Sequence, residues 1–189
     1  MKLYEAINRV LKAIGEIPMT SEEEYLTADA SSDIGRARDT VLGMSKIIQQ
    51  EGYWFNLEKG YPMSPSPIDG TIAIGDNILA VVDTRYIVKD HKLYDVTKRT
   101  SMFTSTIKVD VIFEIPFDDL PFVVADVITR EASVAFYNDV MGDTQELKVL
   151  EMNAQRGQVA LQKAQFKHKR ANLMKGSRLV DRTQNPRAL

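Results

Sequence analysis

The residues with the most chemical potential in this sequence are three closely spaced carboxylates, Glu114, Asp118 and Asp119. A pair of such groups can act as acid and as base or nucleophile in glycoside hydrolysis, so the cluster defines one reading: a hydrolase of polysaccharide or peptidoglycan. The competing reading is structural. An Asp just ahead of a proline-started helix is usually an N-cap, and Pro121 follows at the right place. Other chemistries have little material. The chain has no cysteine, which removes disulfides, thiolate metal sites and cysteine nucleophiles together. Its histidines, His91 and His168, are isolated, with no HExxH or GxSxG context. His168 stands in Lys167-His168-Lys169-Arg170, where like charge disfavours a bound cation. Neither GxGxxG nor GxxxxGK[ST] occurs, and Gly70 and Gly75 read as turn residues. The sequence implies no cofactor and no metal.

Non-covalent recognition has more to work with. Tyr53-Trp54-Phe55 is an aromatic cluster that could stack on a sugar or a base, or pack at the junction between a helical part and a β part. Residues 156–189 carry nine Lys/Arg and one acid, a net charge of +8, which leaves −10 on the rest of a chain whose total is −2. An acidic body with a basic end usually meets something acidic. The end lacks interleaved aromatics, so a DNA-binding role would act through the backbone and fall steeply with salt.

Periodicity predicts the elements that hold these residues. Leu3, Ile7, Val10, Leu11 and Ile14 form a helical stripe over residues 2–14, closed by Gly15 and Pro18. Thr20–Thr27 reads as a loop. Ser31, Ser32 or Asp33 caps a second helix that runs to about Glu51, antiparallel to the first. After a proline-bearing segment come short β-branched runs at Thr71–Ile74, Ile78–Val82, Tyr86–Lys89, Leu93–Val96 and Ile107–Phe113, with Asp90-His91 at a hairpin tip. Asp118 or Asp119 caps a third helix, apolar on most sides from Phe122 to Tyr137 and therefore buried. Asp143 or Thr144 caps a last helix to about Lys175, roughly 50 Å long. Leu147, Leu150, Ala154, Gly157, Leu161, Ala164, His168 and Ala171 give it a seam of small residues suited to close packing on another helix.

The expected class is α+β: a helical bundle with an inserted antiparallel β domain and an extended basic arm. The expected parts are residues 1–56 (helical hairpin), 57–116 (β insertion), 117–175 (helices completing the bundle) and 176–189 (arm). The 189 residues are 44% hydrophobic, enough for a real core. No run of 18 apolar residues exists to cross a membrane, and Met1–Glu5 lacks the apolar core of a signal peptide.

The order of these features resembles the tail tubular protein A family of short-tailed bacteriophages, the head-to-tail adaptor or gatekeeper proteins. Ala13-Ile14-Gly15-Glu16-Ile17-Pro18 matches that family's turn after the first helix. Gln49-Gln50-Glu51-Gly52-Tyr53-Trp54-Phe55-Asn56 matches the close of the second. Lys92-Leu93-Tyr94-Asp95 matches a hairpin, Ile115 to Pro121 the acidic lead into the third helix, and Ile128 to Ser133 its body. The matches span residues 2 to about 155, and the C-terminal arm departs most from the family pattern.

The resemblance implies a structural virion protein without catalysis, located in the tail or neck and made in the host cytoplasm. It implies a dodecameric ring beneath the portal protein ring, a platform for the tail nozzle (a tubular protein B-like partner), tail fibres nearby, and a channel past which double-stranded DNA slides without specific binding. The acidic body suits such a wall. For portal contact the candidates are Lys167, Lys169, Arg170, Lys175, Arg178, Arg182 and Arg187. Tyr53, Trp54 and Phe55 are the candidates for domain-junction packing, and the β segment from Tyr61 to Glu114 would face the nozzle or fibres.

Overall fold

The computed structural model of the chain describes residues 1–175, with side chains described through residue 171. It is an α+β protein whose chain divides into two compact units, Met1–Val41 together with the chain from Pro121 onward, and Leu42–Leu120.

In the first unit, α1 (Leu3–Ala13) buries Ala6, Ile7, Val10 and Leu11. The Glu5 carboxylate accepts the Lys2 N–H at its start. Gly15, at φ 83°, closes its end while the Glu16 N–H bonds back to Leu11. Met19 is pinned to the helix: its carbonyl accepts from Tyr4 Oη at 2.9 Å, and its N–H donates to Asn8 Oδ1 at 2.7 Å. The segment expected as a loop contains a short helix, α2 (Glu23–Thr27). Glu24 Oε1 accepts the N–H groups of both Thr20 and Ser21. The Glu24 carboxylate thus holds the chain entering the helix, a local bond that the acidic composition obscured.

Helix α3 (Asp33–Gln49) starts in this unit and ends in the other. Ser32 caps it, its Oγ accepting the Gly35 N–H at 3.1 Å. Helix α4 (Phe122–Met141) buries Val124, Ala125, Val127, Ile128, Ala132 and Phe136 almost completely. Its N-cap is Pro121 with no side-chain cap bond. The expected capping by Asp118 or Asp119 is therefore corrected: both sit one step earlier in a 3-10 turn, Phe117–Asp119, which has already turned the chain. Helix α5 (Gln145–Lys175) is capped by Thr144, whose Oγ1 accepts the Leu147 N–H. The helix that α1 packs along is α4, not the next helix in sequence, and α5 packs along α4 as well. A helix apolar on most sides serves two neighbours at once.

The second unit holds an antiparallel sheet of order β1-β5-β2 and a separate hairpin β3-β4. Its strands are β1 (Leu57–Met63), β2 (Ile78–Val82), β3 (Tyr86–Lys89), β4 (Lys92–Asp95) and β5 (Ile107–Phe113). Val109 and Val111 of the central strand join Met63, Ile72, Ile74 and Leu93 in one core. Asp90 and His91 both have positive φ, the two-residue turn that matches strand twist. Two expectations change. Leu57–Met63 is a strand despite Pro62, because it lies at the sheet edge, where a missing N–H costs little. It also carries a bulge at Gly60 (φ 63°), whose N–H bonds to Asp110 Oδ1 at 2.8 Å. Thr71–Ile74 makes only single bridges, Thr71 to Met102 and Ala73 to Lys92, and is not a continuous strand.

Candidate functional site

The most distinctive surface is on α5, which presents two faces. Its inner seam packs on α4: Leu147, Ala154 and Leu161 are buried, and a Cβ at Gly157 would stand 3.0 Å from Arg130 Cδ and 3.3 Å from Val127 Cγ2. The small residue is what lets the helices approach. At ~1.5 Å per residue, α5 exceeds α4 by about 16 Å. Burial of the seam fades accordingly, with Ala164 half-buried and His168 and Ala171 exposed.

The opposite face carries Val149, Met152, Arg156, Val159, Lys163, Phe166 and Arg170, spaced by threes and fours but displaced two residues from the seam. At about 100° per residue, two residues is 200°, the far side of the helix. Val149, Met152, Val159 and Phe166 are all exposed there, Phe166 at 70%. Met152, Gln155, Arg156, Val159 and Lys163 line a surface groove of about 510 Å³. This stripe went unremarked in the sequence because the seam carries the same spacing, and the basic residues between the apolar ones made it read as a solvated face.

The basic end is only partly described. Lys167, Lys169 and Arg170 are exposed on the last described turns of α5. The side chain of Lys175 and the residues Arg178, Arg182 and Arg187 lie outside the described residues.

Tyr53, Trp54 and Phe55 pack on one another between α3 and β1, within the Leu42–Leu120 unit. Tyr53 and Phe55 stack at 5.8 Å, and Trp54 meets Phe55 edge-on at 5.4 Å. Burial pushes the Tyr53 phenol up, and its hydrogen bond to the Glu51 carboxylate at 2.8 Å adds to the shift. Two buried amides beside them were not singled out from sequence. Asn56 donates to the carbonyls of Gln49 and Phe113 and accepts the Tyr53 N–H. Gln49 bonds to both backbone groups of Ile115 and to Ser45. Amides in helix-end and turn positions look like ordinary surface residues, so composition gives no signal of this role.

Glu114 pairs with Lys46 at 3.6 Å, while Asp118 and Asp119 are exposed. His91 is at the exposed β3-β4 tip, 3.9 Å from Asp76. Among the described residues, no group of three or more His, Asp or Glu is arranged to hold a metal ion. The carboxylates with displaced pKa values are structural. Burial pushes the Asp126 carboxyl up, but hydrogen bonds from Arg130 and Arg9, each at 2.7 Å, outweigh it and leave the group below its usual range. Asp95, with its side chain 3% exposed, is lowered chiefly by Arg85 at 2.8 Å.

Two comparisons bear on this arrangement. A family model described as tail tubular protein matches residues 4–171. Tail tubular protein A of Klebsiella phage KP34 is 30% identical over 149 residues, covering 76% of this chain and 76% of that protein.

Proposed function

The chain belongs to the tail tubular protein family, structural proteins of phage tails, and we propose that its task there is that of a head-to-tail adaptor. Copies close into a ring, dodecameric as the resemblance implies, that docks beneath the portal ring and carries the tail nozzle, with tail fibres nearby. The ring lines the channel, and its acidic body lets DNA pass without adhering. Residues 1–56 and 117–175 supply the helical body, 57–116 the β part toward nozzle or fibres, and 176–189 an arm toward the portal. Lys167, Lys169, Arg170, Lys175, Arg178, Arg182 and Arg187 make the portal contact, and Tyr53, Trp54 and Phe55 fix the helix–sheet junction. The protein is made in the host cytoplasm and works in the virion neck without catalysis.

The observation that carries this reading is the outer face of α5. Four large apolar side chains exposed along one 31-residue helix gain nothing in an isolated chain and much in an assembly. Native mass spectrometry of the protein mixed with the portal ring of its own virion tests the reading. Saturable addition at one copy per portal subunit supports it; no association, with the protein staying monomeric, refutes it.

A further inference from the structure

Resting on the ring reading, we infer that the outer face of α5 in one copy seats the acidic segment Glu16–Asp33 of the next copy. The two surfaces are complementary in kind. The α5 face alternates apolar Val149, Met152, Val159 and Phe166 with cationic Arg156 and Lys163. Residues 16–33 carry six acids, Glu16, Glu22, Glu23, Glu24, Asp29 and Asp33, and no base. Amid those acids, Ile17 is 85% exposed and Leu26 is 66% exposed, two apolar anchors without cover. The segment is also pre-shaped. Met19 is pinned to α1, Glu24 and Asp29 are committed to turn hydrogen bonds with Thr20 and Ser31, and both carboxyls are held below their usual range by those bonds.

Apolar anchors ringed by matched charge give both affinity and register. The chain's own residues 176–189 are a poor occupant of this face, because they are basic like it. One chain carries both halves as different patches, so the contact is heterologous, the type that closes rings.

The lack of native cysteine makes the test clean. Full-length L26C and F166C variants are mixed, assembled on the portal ring and mildly oxidised. Ile68, 94% exposed in the other unit, supplies the control I68C. The expected result is a disulfide-linked L26C–F166C dimer in at least ~10-fold excess over L26C alone, F166C alone or I68C with F166C. The double reversal E22K/E23K cuts assembly by ~10-fold or more, and R156E/K163E in the neighbouring copy restores it. A ring that forms without the L26C–F166C link overturns this contact and leaves the ring reading standing. Absence of any oligomer overturns both. Protection of F166C by double-stranded DNA, and not by a second copy, overturns the contact in favour of nucleic acid on this face.

Discussion

The side-chain amide of Gln49 pairs with the main chain of Ile115 through both of its polar atoms. Nε2 donates to the Ile115 carbonyl at 3.0 Å, and Oε1 accepts the Ile115 N–H at 2.8 Å. One fully buried side chain thereby replaces a strand pair between the end of α3 and the chain leaving β5. Asn56 does the same for the carbonyl of Phe113, so two amides tie residues far apart in sequence.

Gln49→Leu keeps the volume but leaves the Ile115 N–H and carbonyl without their partner. The expected cost is about 2 kcal/mol, measured as a lower urea midpoint at unchanged slope. Asn56→Ala should cost a similar amount. Because both amides serve the same connection, the double variant should lose less than the sum.

Two glycines of α3 should respond in opposite directions. A Cβ on Gly35 would lie 2.1 Å from the Asp29 carbonyl oxygen, which already accepts both the N–H and the hydroxyl of Ser32. Backbone on both sides cannot yield, so Gly35→Ala should destabilise by about 2 kcal/mol or more. Gly43 has nothing within 4 Å of its would-be Cβ. Gly43→Ala should stabilise by about 0.5–1 kcal/mol through helix propensity alone. Thermal unfolding of the two variants side by side checks both signs.

Most helices were legible from sequence because their apolar periods are long and their caps explicit: Ser32, Thr144 and Gly15 stand where caps or closing residues were expected. The central strand Ile107–Phe113 was legible from its alternation. What sequence could not show follows from tertiary context. Leu57–Met63 contains a Gly and a Pro, each of which argues against a strand, and forms one because an edge tolerates Pro62 and a bulge uses Gly60. The inner seam of α5 was readable as a packing face. Its outer face was not, since it repeats the seam's spacing, and local pattern does not say which of two opposite stripes α4 covers. The roles of Gln49 and Asn56 rest on contacts to β5 that no local pattern announces.

Acid should weaken the fold through a defined set of carboxylates. Asp69 is lowered from 3.8 to about 2, first by the Thr71 N–H, then by its hydroxyl and by Ser66, with Lys92 assisting. Asp95 and Asp126 are lowered as well. An unfolded chain binds protons at these sites before the folded one does, so their contribution is complete above the ordinary carboxylate value. It is lost as pH falls through the folded-state values, down to about 2 for Asp69. Urea midpoints should be flat from neutral pH to about 5 and fall between about 4 and 2. Asp69→Asn should make that fall shallower and leave its onset in place; an unchanged slope would show that the Thr71 bonds do not survive in solution.

The two faces of α5 separate stability from assembly, and paired variants should expose the split. Leu161 is fully buried on the seam against α4. Leu161→Ala removes three carbons from a packed site that the backbone cannot refill, at an expected cost of about 2–4 kcal/mol in urea unfolding. Val159, two residues away and 45% exposed, touches the groove and not the core. Val159→Ser should change unfolding by less than about 0.5 kcal/mol. In a sedimentation series on the assembled protein the order should invert: the folded fraction of Leu161→Ala still associates, while Val159→Ser, fully folded, associates more weakly. If Val159→Ser instead matched the parent in association and lost stability, the outer stripe would be part of the folded core and not a surface held ready for a partner.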